Sequence, residues 1–368
     1  MMSGTSLDGV DAALLRTDGV AVAEPGPALT LPYATDTRAK LRQVLGRTQP
    51  DPLIDEVARE ITLLHADAVH QLIEKHGISA EDIDVIGFHG HTILHRPQAR
   101  RTWQIGDGAL LASQCGIDVV DDFRSADVAA GGEGAPLAPL YHQALARDFD
   151  RPVAILNIGG VANVTWIGER GIGEGGAGEG GAGTDGEGLV AFDTGPGNAM
   201  LDDWVREMCG QPFDEDGALA SAGRVHEQTL ARLLDHPYFA VAPPKSLDRN
   251  DFDGAMLDGL TVADGAATLV AFTVAAVARA AEFFPAPARR WLVTGGGRHN
   301  PAIMAMLGSV LGVAPLPVEQ VGWNGDALEA QAFAFLAVRA LKNLPLTAPS
   351  VTGSRAAVLG GTLHRRPG

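Results

Sequence analysis

Four glycine-rich turns carrying hydroxyl, carboxylate or amide side chains recur along this chain, and three of them follow an apolar, strand-like run. Residues 4–9 read Gly-Thr-Ser-Leu-Asp-Gly, and residues 157–163 read Asn-Ile-Gly-Gly-Val-Ala-Asn. Residues 192–198 read Phe-Asp-Thr-Gly-Pro-Gly-Asn, and residues 295–300 read Gly-Gly-Gly-Arg-His-Asn. Glycine lets main-chain N–H groups approach an anion closely, because no Cβ intervenes. One such turn is a weak signal, but four of them predict two half-sites that close on a nucleotide.

Length and charge narrow the class of protein. At 368 residues the chain is longer than one hydrophobic core usually supports, so we expect two domains. The formal net charge of −17 argues against nucleic acid or an anionic membrane as a partner, because both need a basic surface. An acidic protein still binds ATP, because backbone amides, helix N-termini and a divalent cation act at short range.

Cysteine usage and hydropathy favour a reducing, cytoplasmic location. Cys115 and Cys209 lie far apart and form no Cys-x-x-Cys pair, which excludes a zinc ribbon. The sequence does not open on a basic-then-apolar signal peptide. The longest apolar stretch, residues 268–280, is too short to span a bilayer and is broken by Thr273 and Arg279. We therefore expect a cytoplasmic protein with no membrane partner.

Apolar periodicity predicts an α/β protein, because strands open each half and helices follow them. The strand patterns fall at residues 83–88, 117–120, 153–157 and 291–293. The helical patterns fall at residues 51–76, 199–208, 223–234, 263–284, 301–311 and 326–340. We predict one domain at 1–135 and a second at 136–354, with the tail 355–368 returning to the first. Met1 lies only three residues before the first turn, so either the recorded start is late or the strand expected before the turn is short.

The first turn offers Thr5, Ser6 and Asp8 to a nucleotide. Hydroxyls and amides grip phosphate oxygens, and Asp8 is a candidate Mg²⁺ ligand, directly or through water. The turn is not a Walker P-loop, because no Gly-Lys-Ser/Thr follows at the required spacing. A plain β-turn, which also needs glycine and aspartate, stays an alternative.

Asp193 is the candidate general base. It follows the strand-like run 189–192 and precedes Thr194 and Gly195. A carboxylate at the end of a strand is where a general base would be placed. The alternative is an aspartate that only caps its own turn.

Polar residues at 102, 104 and 124 form a candidate substrate site. Thr102 and Gln104 fall on one face of an alternating strand and offer the neutral hydrogen bonds that suit sugar hydroxyls. Arg124 ends a strand and is the best candidate for a bidentate contact with a substrate carboxylate. An internal salt-bridge network is an equal contender, because three acids surround Arg124 in the sequence: Asp121, Asp122 and Asp127.

Several other polar residues have two interpretations each. His89, His91 and His95 alternate, which suggests zinc, but no carboxylate partner is evident, and hydrogen bonding to a substrate or loop is favoured. Lys245 stands in a rigid Pro-Pro-Lys-Ser loop, where it is either solvent-exposed or in contact with a phosphate or an ion-pair partner. Glu329 is either the capping-box partner of an N-cap Asp326 or an acid facing the substrate. The Gly/Glu/Ala-rich run 168–188 is interpreted as a surface hairpin tip or insertion.

Taken in order, these motifs resemble those of the anhydro-N-acetylmuramic acid kinase family. The likeness covers nearly the whole chain, and its motifs are specific as a set although each is weak alone. It rests on residues 3–11, 122–124, 131–136, 157–163, 192–198, 243–246 and 295–297. The sequence departs from the family pattern at His91 and Glu133, where glutamine is usual, and at 246–249.

The resemblance implies the two-domain actin/Hsp70/sugar-kinase (RNase H-like) fold with a central inter-domain cleft. It also implies ATP with Mg²⁺, an amino-sugar substrate, a homodimer and a role in cell-wall recycling. In this family, water opens the 1,6-anhydro ring and O6 is phosphorylated. Asp193 would deprotonate the water that attacks C1, while the bridging oxygen leaves C1 and takes the γ-phosphoryl group.

The resemblance also assigns the binding residues. The sugar would be held by Thr102, Gln104, Arg124 and Glu329, with Arg124 on its lactyl carboxylate. The nucleotide would be bound by Ser3, Gly4, Thr5, Ser6, Leu7, Asp8, Gly9, Val10, Asn157, Gly159, Gly160, Gly295, Gly296, Gly297 and Asn300. Two other functions stay open on the sequence: a kinase of the same fold for another sugar or carboxylate, and a non-catalytic nucleotide switch of the actin or Hsp70 kind.

Overall fold

The chain folds into two compact units. The computed structural model describes residues 1–4, 7–169, 188–247, 251–252 and 254–368. The first unit holds Met1–Arg147 and Asp326–Gly368, and the second holds residues 148–169 and 188–325. The predicted domain boundaries at 135/136 and 354/355 remain a proposal beside this division. The insertion predicted at 168–188 falls almost entirely outside the described residues.

Strands and helices alternate along the chain, which confirms the predicted α/β class. The strands are β1 (Gly9–Thr17), β2 (Val22–Pro32), β3 (Ile86–Gly87), β4 (His91–Arg96), β5 (Arg101–Ile105), β6 (Val119–Asp121), β7 (Val153–Ile158), β8 (Val161–Ile167), β9 (Leu189–Pro196), β10 (Arg290–Thr294), β11 (Leu316–Pro317) and β12 (Thr362–His364). The α-helices are α1 (Thr35–Val44), α2 (Pro52–His76), α3 (Gly108–Cys115), α4 (Ser125–Ala129), α5 (Pro139–Leu145), α6 (Ala199–Cys209), α7 (Ala218–Ala222), α8 (Glu227–Leu234), α9 (Val262–Ala281), α10 (Pro301–Leu311), α11 (Leu328–Leu341) and α12 (Pro349–Thr352). Single 3-10 turns lie at Ala80–Asp82, Pro97–Ala99, Glu215–Gly217, Pro237–Ala240, Gly254–Leu257, Gly296–His299 and Val318–Val321.

Short strands and one long helix build the first unit. β1 and β2 form an antiparallel hairpin, β4 and β5 form a second, and β6 lies between β3 and β12. The strand expected before the first turn is reduced to two bridges, from Met2 to Asp11 and from Ser3 to His91. At the other end of the chain, β12 pairs antiparallel with β6, so the last residues belong to this unit.

The long helix α2 follows the predicted pattern closely. Asp51 is its N-cap and accepts a hydrogen bond from the Leu53 N–H at 2.8 Å, and Pro52 occupies the first helical turn. Gly77 ends the helix at a φ of 64°, a left-handed conformation that glycine adopts without strain. The apolar face of α2 is buried in the core of the first unit.

A five-stranded sheet forms the centre of the second unit. Its order is β11-β10-β7-β8-β9. β10 is parallel to both β7 and β11, whereas β8 is antiparallel to β7 and β9. This is the sheet order of the RNase H-like fold that the sequence resemblance implies. The carboxyl ends of β7, β9 and β10 each lead into one of the glycine-rich turns.

The apolar helix α9 is a core element of the second unit. It runs over 20 residues and is long and apolar enough to cross a membrane by length and composition. The helix predicted at 263–284 lies close to these bounds, whereas the apolar stretch judged too short to span a bilayer, residues 268–280, covers only part of the helix. Most of the helix is buried inside the second unit, where it packs on α6, α7, α8, α10 and β9. Burial in a folded core explains its hydropathy.

Candidate active site

Three of the four glycine-rich turns meet in the second unit. The turn after β7 offers two carbonyl oxygens to the next turn: the Gly159 oxygen accepts from the Asn198 N–H at 2.7 Å, and the Gly160 oxygen accepts from the Gly197 N–H at 3.0 Å. The side chain of Asn198 donates from Nδ2 to the Ile158 oxygen at 3.1 Å. A side chain at position 197 would overlap the Gly159 carbonyl group. We call residues 157–163, 194–198 and 295–300 the three-turn cluster.

The turn after β10 completes this cluster. Gly295 has a φ of 74° and a ψ of 172°, and a Cβ there would lie 2.6 Å from the Ile158 oxygen. A Cβ on Gly297 would lie 2.6 Å from the Ile158 Cβ. Asn300 caps α10, because its Oδ1 accepts from the Ala302 N–H at 3.0 Å. These glycines let three stretches of main chain pack directly against one another.

The buried side chain of Arg298 stabilises the third turn of the cluster. This role was not predicted from the sequence. Its side chain is 2% exposed, and Nε donates to Glu319 Oε1 at 2.9 Å. Its Nη1 donates to the Gly295 oxygen, also at 2.9 Å. The guanidinium therefore fixes the main chain where the third turn begins. An arginine within the Gly-Gly-Gly-Arg motif was the available signal.

Asp193 lies at the carboxyl end of β9, beside the three-turn cluster. Asn163 pairs with Asp193 and Ala162 pairs with Gly195, so Thr194 is the extra residue of a β-bulge. Bulges redirect side chains and are common next to active sites. Asp193 is 8% exposed, and its Oδ2 accepts a hydrogen bond from the Leu247 N–H at 2.8 Å. This hydrogen bond holds one oxygen of the carboxylate in place.

Lys245 is buried, although solvent exposure is the usual expectation for a lysine in a polar loop. It is 6% exposed, and its Nζ donates to the Tyr238 carbonyl oxygen at 3.1 Å. Burial lowers the pKa of Lys245 from 10.5 to about 8. The same loop continues into Leu247, whose N–H reaches Asp193, and residues 248–250 lie outside the described part of the chain.

The first glycine turn belongs to the first unit, and the structure describes it in part. Thr5 and Ser6 lie outside the described residues. Ser3 is buried, and its hydroxyl hydrogen-bonds Tyr33 Oη at 2.6 Å and His91 Nδ1 at 2.9 Å.

The other predicted nucleotide residues of this turn differ in exposure. Leu7 and Val10 are buried, so their side chains serve the core. A Cβ at Gly9 would overlap the main chain of β2, which explains the glycine by strand pairing. Gly4 is partly exposed, and the Asp8 side chain is exposed.

Two of the four predicted sugar residues, Thr102 and Gln104, line a cavity of about 210 Å³ in the first unit, whereas Arg124 and Glu329 are not among its lining residues. Thr102 and Gln104 contribute to its wall, as sequence analysis anticipates for a shared face. Gln104 Nε2 donates to Thr102 Oγ1 at 2.8 Å, and His95 Nδ1 lies 3.0 Å from the same hydroxyl. The wall also includes Phe88, His89, Gly90, Trp103, Ile105, Gly106, Asp121, Asp122 and Ser125.

Arg124 lies directly behind His89 at this cavity. Its Nε donates to His89 Nε2 at 2.9 Å, and its Nη1 donates to the Gly134 oxygen at 2.7 Å. Burial, and then the Arg124 charge, lower the pKa of His89 well below its usual value, so the imidazole is neutral and accepts this bond.

Two of the acids expected around Arg124 bond to other groups. Asp121 Oδ1 lies 3.0 Å from His364 Nε2 on β12. Asp127 accepts from the Gly134 N–H at 2.8 Å and from two threonine hydroxyls at the end of the chain. Asp121 and Asp127 therefore do not form the salt-bridge network around Arg124 that was one of the two interpretations of the sequence.

The three alternating histidines have three separate partners: Arg124 for His89, Ser3 for His91 and Thr102 for His95. Burial lowers the pKa of His91 to about 4, so it bonds Ser3 as a neutral ring. In the part of the chain that the structure describes, no group of three or more His, Cys, Asp or Glu side chains could hold a metal ion.

Glu329 is exposed in the first turn of α11. The predicted capping arrangement is wrong, because α11 begins at Leu328 with Ala327 at its N-cap. Asp326 therefore precedes the N-cap, and the capping-box explanation for Glu329 is removed. The exposed carboxylate stays a candidate sugar contact.

Comparison with known proteins gives one consistent family. The family model described as anhydro-N-acetylmuramic acid kinase matches residues 1–365. Anhydro-N-acetylmuramic acid kinase of Paramagnetospirillum magneticum is 56% identical over 367 residues, which is 99% of this chain and 98% of that protein. The protein of the same name from Rhodospirillum rubrum is 56% identical over 365 residues, 98% of this chain and 92% of its own. The solved activator of 2-hydroxyisocaproyl-CoA dehydratase from Clostridium difficile covers 92% of this chain and 94% of its own with 12% identity and a TM-score of 0.42, and the family match does not depend on it.

Proposed function

The chain belongs to the anhydro-N-acetylmuramic acid kinase family, and from that membership we propose how its own residues carry out the reaction. It is a phosphotransferase with an alcohol group as acceptor, and its role is in cell-wall recycling. The reaction opens the 1,6-anhydro ring of anhydro-N-acetylmuramic acid with water and transfers a phosphoryl group from ATP to O6. The family match does not favour another substrate or a non-catalytic switch.

We propose that Asp193 is the general base. The observation that carries this proposal is a bulged strand end that presents a carboxylate beside the three-turn cluster. Asp193 removes a proton from the water that attacks C1, and the C1–O6 bond breaks as the C1–water bond forms. The electron pair of that bond stays on O6, which accepts the γ-phosphoryl group, and ADP leaves. The Leu247 N–H supports this role because it holds Oδ2 in one orientation, which fixes the direction of the carboxylate.

Thr102, Gln104, Arg124 and Glu329 are proposed to bind the sugar. Hydroxyl and amide groups on the cavity wall suit sugar hydroxyls, and the cavity wall includes both Thr102 and Gln104. The guanidinium of Arg124 is held by His89 and the Gly134 carbonyl group, which orients it for the lactyl carboxylate. Glu329 is exposed and is the least constrained of the four.

The proposed nucleotide residues fit ATP where they present bare main chain. Gly159, Gly160 and Gly296 have room for a Cβ, and the nearest described atoms would lie 3.6, 3.7 and 3.4 Å away. Main chain of this kind approaches phosphate or adenosine without a side chain in between. In the first unit, residues 3–10 are proposed to contribute mainly through their amides, because Ser3, Leu7 and Val10 have buried side chains.

Mg²⁺ is proposed as the accompanying ion, with Asp8 as its protein ligand. Mg²⁺ usually keeps several waters and is held by one or two carboxylates together with substrate phosphates. The exposed Asp8 carboxylate, next to the first turn, fits that donor set. The ion would neutralise charge on the transferring phosphoryl group. We also propose a cytoplasmic homodimer, on family likeness.

Replacing Asp193 with asparagine tests the proposed base. General-base catalysis contributes about 10²- to 10⁴-fold, so we expect kcat to fall by at least about 100-fold. The affinity for ATP, measured by calorimetry, should stay nearly unchanged. In ¹⁸O-labelled water, the wild-type product should carry one label, at the anomeric oxygen, by mass spectrometry.

Asp203→Asn is a matched control in the same unit. Asp203 is exposed on α6, where it pairs with Arg206, and its loss should leave kcat unchanged. If Asp193→Asn kept more than about a tenth of wild-type kcat, the role of Asp193 would be rejected. Label in the phosphate group, without label at the sugar, would reject the coupled ring opening.

A further inference from the structure

Lys245 is a buried cation whose position is fixed by aromatic rings. Its Nζ lies 4.4 Å from the centre of the Tyr238 ring, 4.9 Å from that of Phe283 and 5.7 Å from that of Phe192. The ammonium is attracted to the faces of such rings, and more strongly where water is excluded. Its pKa of about 8 leaves the charged form predominant at neutral pH. An uncharged side chain of similar length would fill this space at a lower desolvation cost.

Hydrogen bonds connect this lysine to Asp193. The Lys245 carbonyl oxygen accepts from the Asp193 N–H at 3.2 Å, and the Tyr238 hydroxyl donates to the Asp193 carbonyl oxygen. Tyr238 also supplies the carbonyl oxygen to which Lys245 Nζ donates. Lys245, Tyr238 and Asp193 therefore form a closed ring of contacts at the end of β9.

The loop also reaches the carboxylate itself. Two residues after Lys245, the Leu247 N–H donates to Asp193 Oδ2 at 2.8 Å. Any displacement of Lys245 moves this donor, because only Ser246 separates the two residues. The side chain of Phe192, which borders Lys245, precedes Asp193 directly on β9. Lys245 thus belongs to the loop that donates to the Asp193 carboxylate, and its side chain also contacts β9, the strand that carries Asp193.

We propose that Lys245 is a positioning residue for Asp193, an inference that rests on the proposed role of Asp193 as general base. Lys245 anchors the loop by its bond to the Tyr238 carbonyl group and by its attraction to the rings. The anchored loop holds the Leu247 N–H on Oδ2 and so fixes the orientation of the carboxylate. Lys245 itself does not contact the substrates.

The central experiment replaces Lys245 with methionine, which keeps the length and apolar packing but removes the charge. Misplacement of a catalytic group by about 1 Å costs about 100-fold in rate, so we expect kcat to fall by about 10- to 100-fold. KM for the sugar and the Kd for ATP should stay within about threefold, because binding groups are unchanged. Lys245→Arg keeps a cation that stacks on aromatic rings and should recover most of the lost kcat.

Two further variants make the result decisive. Lys40→Met removes a lysine that pairs with Glu56 and Glu60 in the first unit, and it should leave kcat unchanged. Phe283→Leu removes one of the three rings around Lys245 and leaves the bond to the Tyr238 carbonyl group in place, so kcat should fall by a smaller factor. If Lys245→Met does not fold, an unchanged kcat in Phe283→Leu overturns the inference.

The outcomes separate the inference from the function on which it rests. An inactive Asp193→Asn beside a fully active Lys245→Met overturns the inference alone. A Lys245→Met variant that loses kcat and substrate affinity together, with no recovery in Lys245→Arg, shows a structural role only and also overturns it. An active Asp193→Asn rejects the proposed base instead, whatever Lys245→Met does.

Discussion

Replacing Gly295 with alanine should destabilise the second unit strongly, whereas the same change at the neighbouring Gly296 should not. Gly295 adopts a φ of 74° with a ψ of 172°, a region that essentially only glycine occupies. An added Cβ would lie 2.6 Å from the Ile158 oxygen and would overlap Asn157 Oδ1. The Ile158 oxygen cannot move freely, because it also accepts a hydrogen bond from Asn198 and belongs to the end of β7.

The magnitude follows from these two effects. A disfavoured backbone conformation of this kind costs about 1–3 kcal/mol, and inserting a methyl group into a packed site costs about 1–3 kcal/mol. We therefore expect Gly295→Ala to lower the free energy of unfolding by about 2–6 kcal/mol. At Gly296 the nearest described atom to a Cβ is Asn198 Nδ2, at 3.4 Å, and no left-handed conformation is required. The free energy of unfolding of Gly296→Ala should change by less than about 1 kcal/mol.

Urea unfolding followed by tryptophan fluorescence measures both variants, and calorimetry measures ATP binding. Gly296 is exposed, so its alanine variant should fold normally but bind ATP at least about tenfold more weakly if the nucleotide lies on this turn. Equal stabilities for the two variants would refute the argument from the packing of the three-turn cluster. If Gly296→Ala bound ATP with wild-type affinity, the nucleotide would not lie on this turn.

Two further predictions concern stability. Burial lowers the pKa of three histidines below the ordinary value of 6.5: His65, to about 3, and His91 and His142, to about 4. As the pH falls, the histidines of the unfolded chain take up protons before those of the folded chain do. The free energy of unfolding should therefore be highest above pH 6.5 and decrease from there towards pH 4. A constant free energy of unfolding over that range in urea titrations would contradict this. Asp127→Asn should cost about 2–4 kcal/mol in the same assay, because the buried carboxylate accepts from the Gly134 N–H and from the hydroxyls of Thr347 and Thr352. Thr347→Val, which removes one of these donors, should cost clearly less, and an equal loss would argue against Asp127 as the centre of this network.

Local signals in the sequence predict the elements of the fold well. Helix α2 begins at the proline of an Asp-Pro pair and ends before a glycine, and each of these signals acts within one turn of chain. The predicted helix at 326–340 begins two residues late in the structure, because Ala327 and not Asp326 takes the N-cap position. Capping depends on the approach of the preceding loop, and residue type alone does not specify that approach.

Long-range partners in the candidate site could not be predicted in the same way. Lys245 follows two prolines in a polar loop, which favours exposure, yet the rings of Phe192 and Phe283, which come from distant positions, lie beside it together with that of Tyr238. Proximity in the sequence makes Asp121 a possible ion-pair partner of Arg124, but its hydrogen-bond partner His364 comes from β12, near the end of the sequence. Burial and pairing of charges are decided by tertiary packing, and no local pattern encodes which distant strand arrives.

The glycines of the three-turn cluster show why a glycine-rich turn is an ambiguous sign of phosphate binding. Gly197, Gly295 and Gly297 are required by the fold itself, since a Cβ on any of them would overlap a neighbouring turn. Only Gly159, Gly160 and Gly296 have Cβ directions with no described atom closer than 3.4 Å. Main chain that packs against another turn cannot also contact a ligand. Contact with the nucleotide should therefore occur at Gly159, Gly160 and Gly296. Both kinds of glycine occur in the same motifs, because both demands select the same residue type.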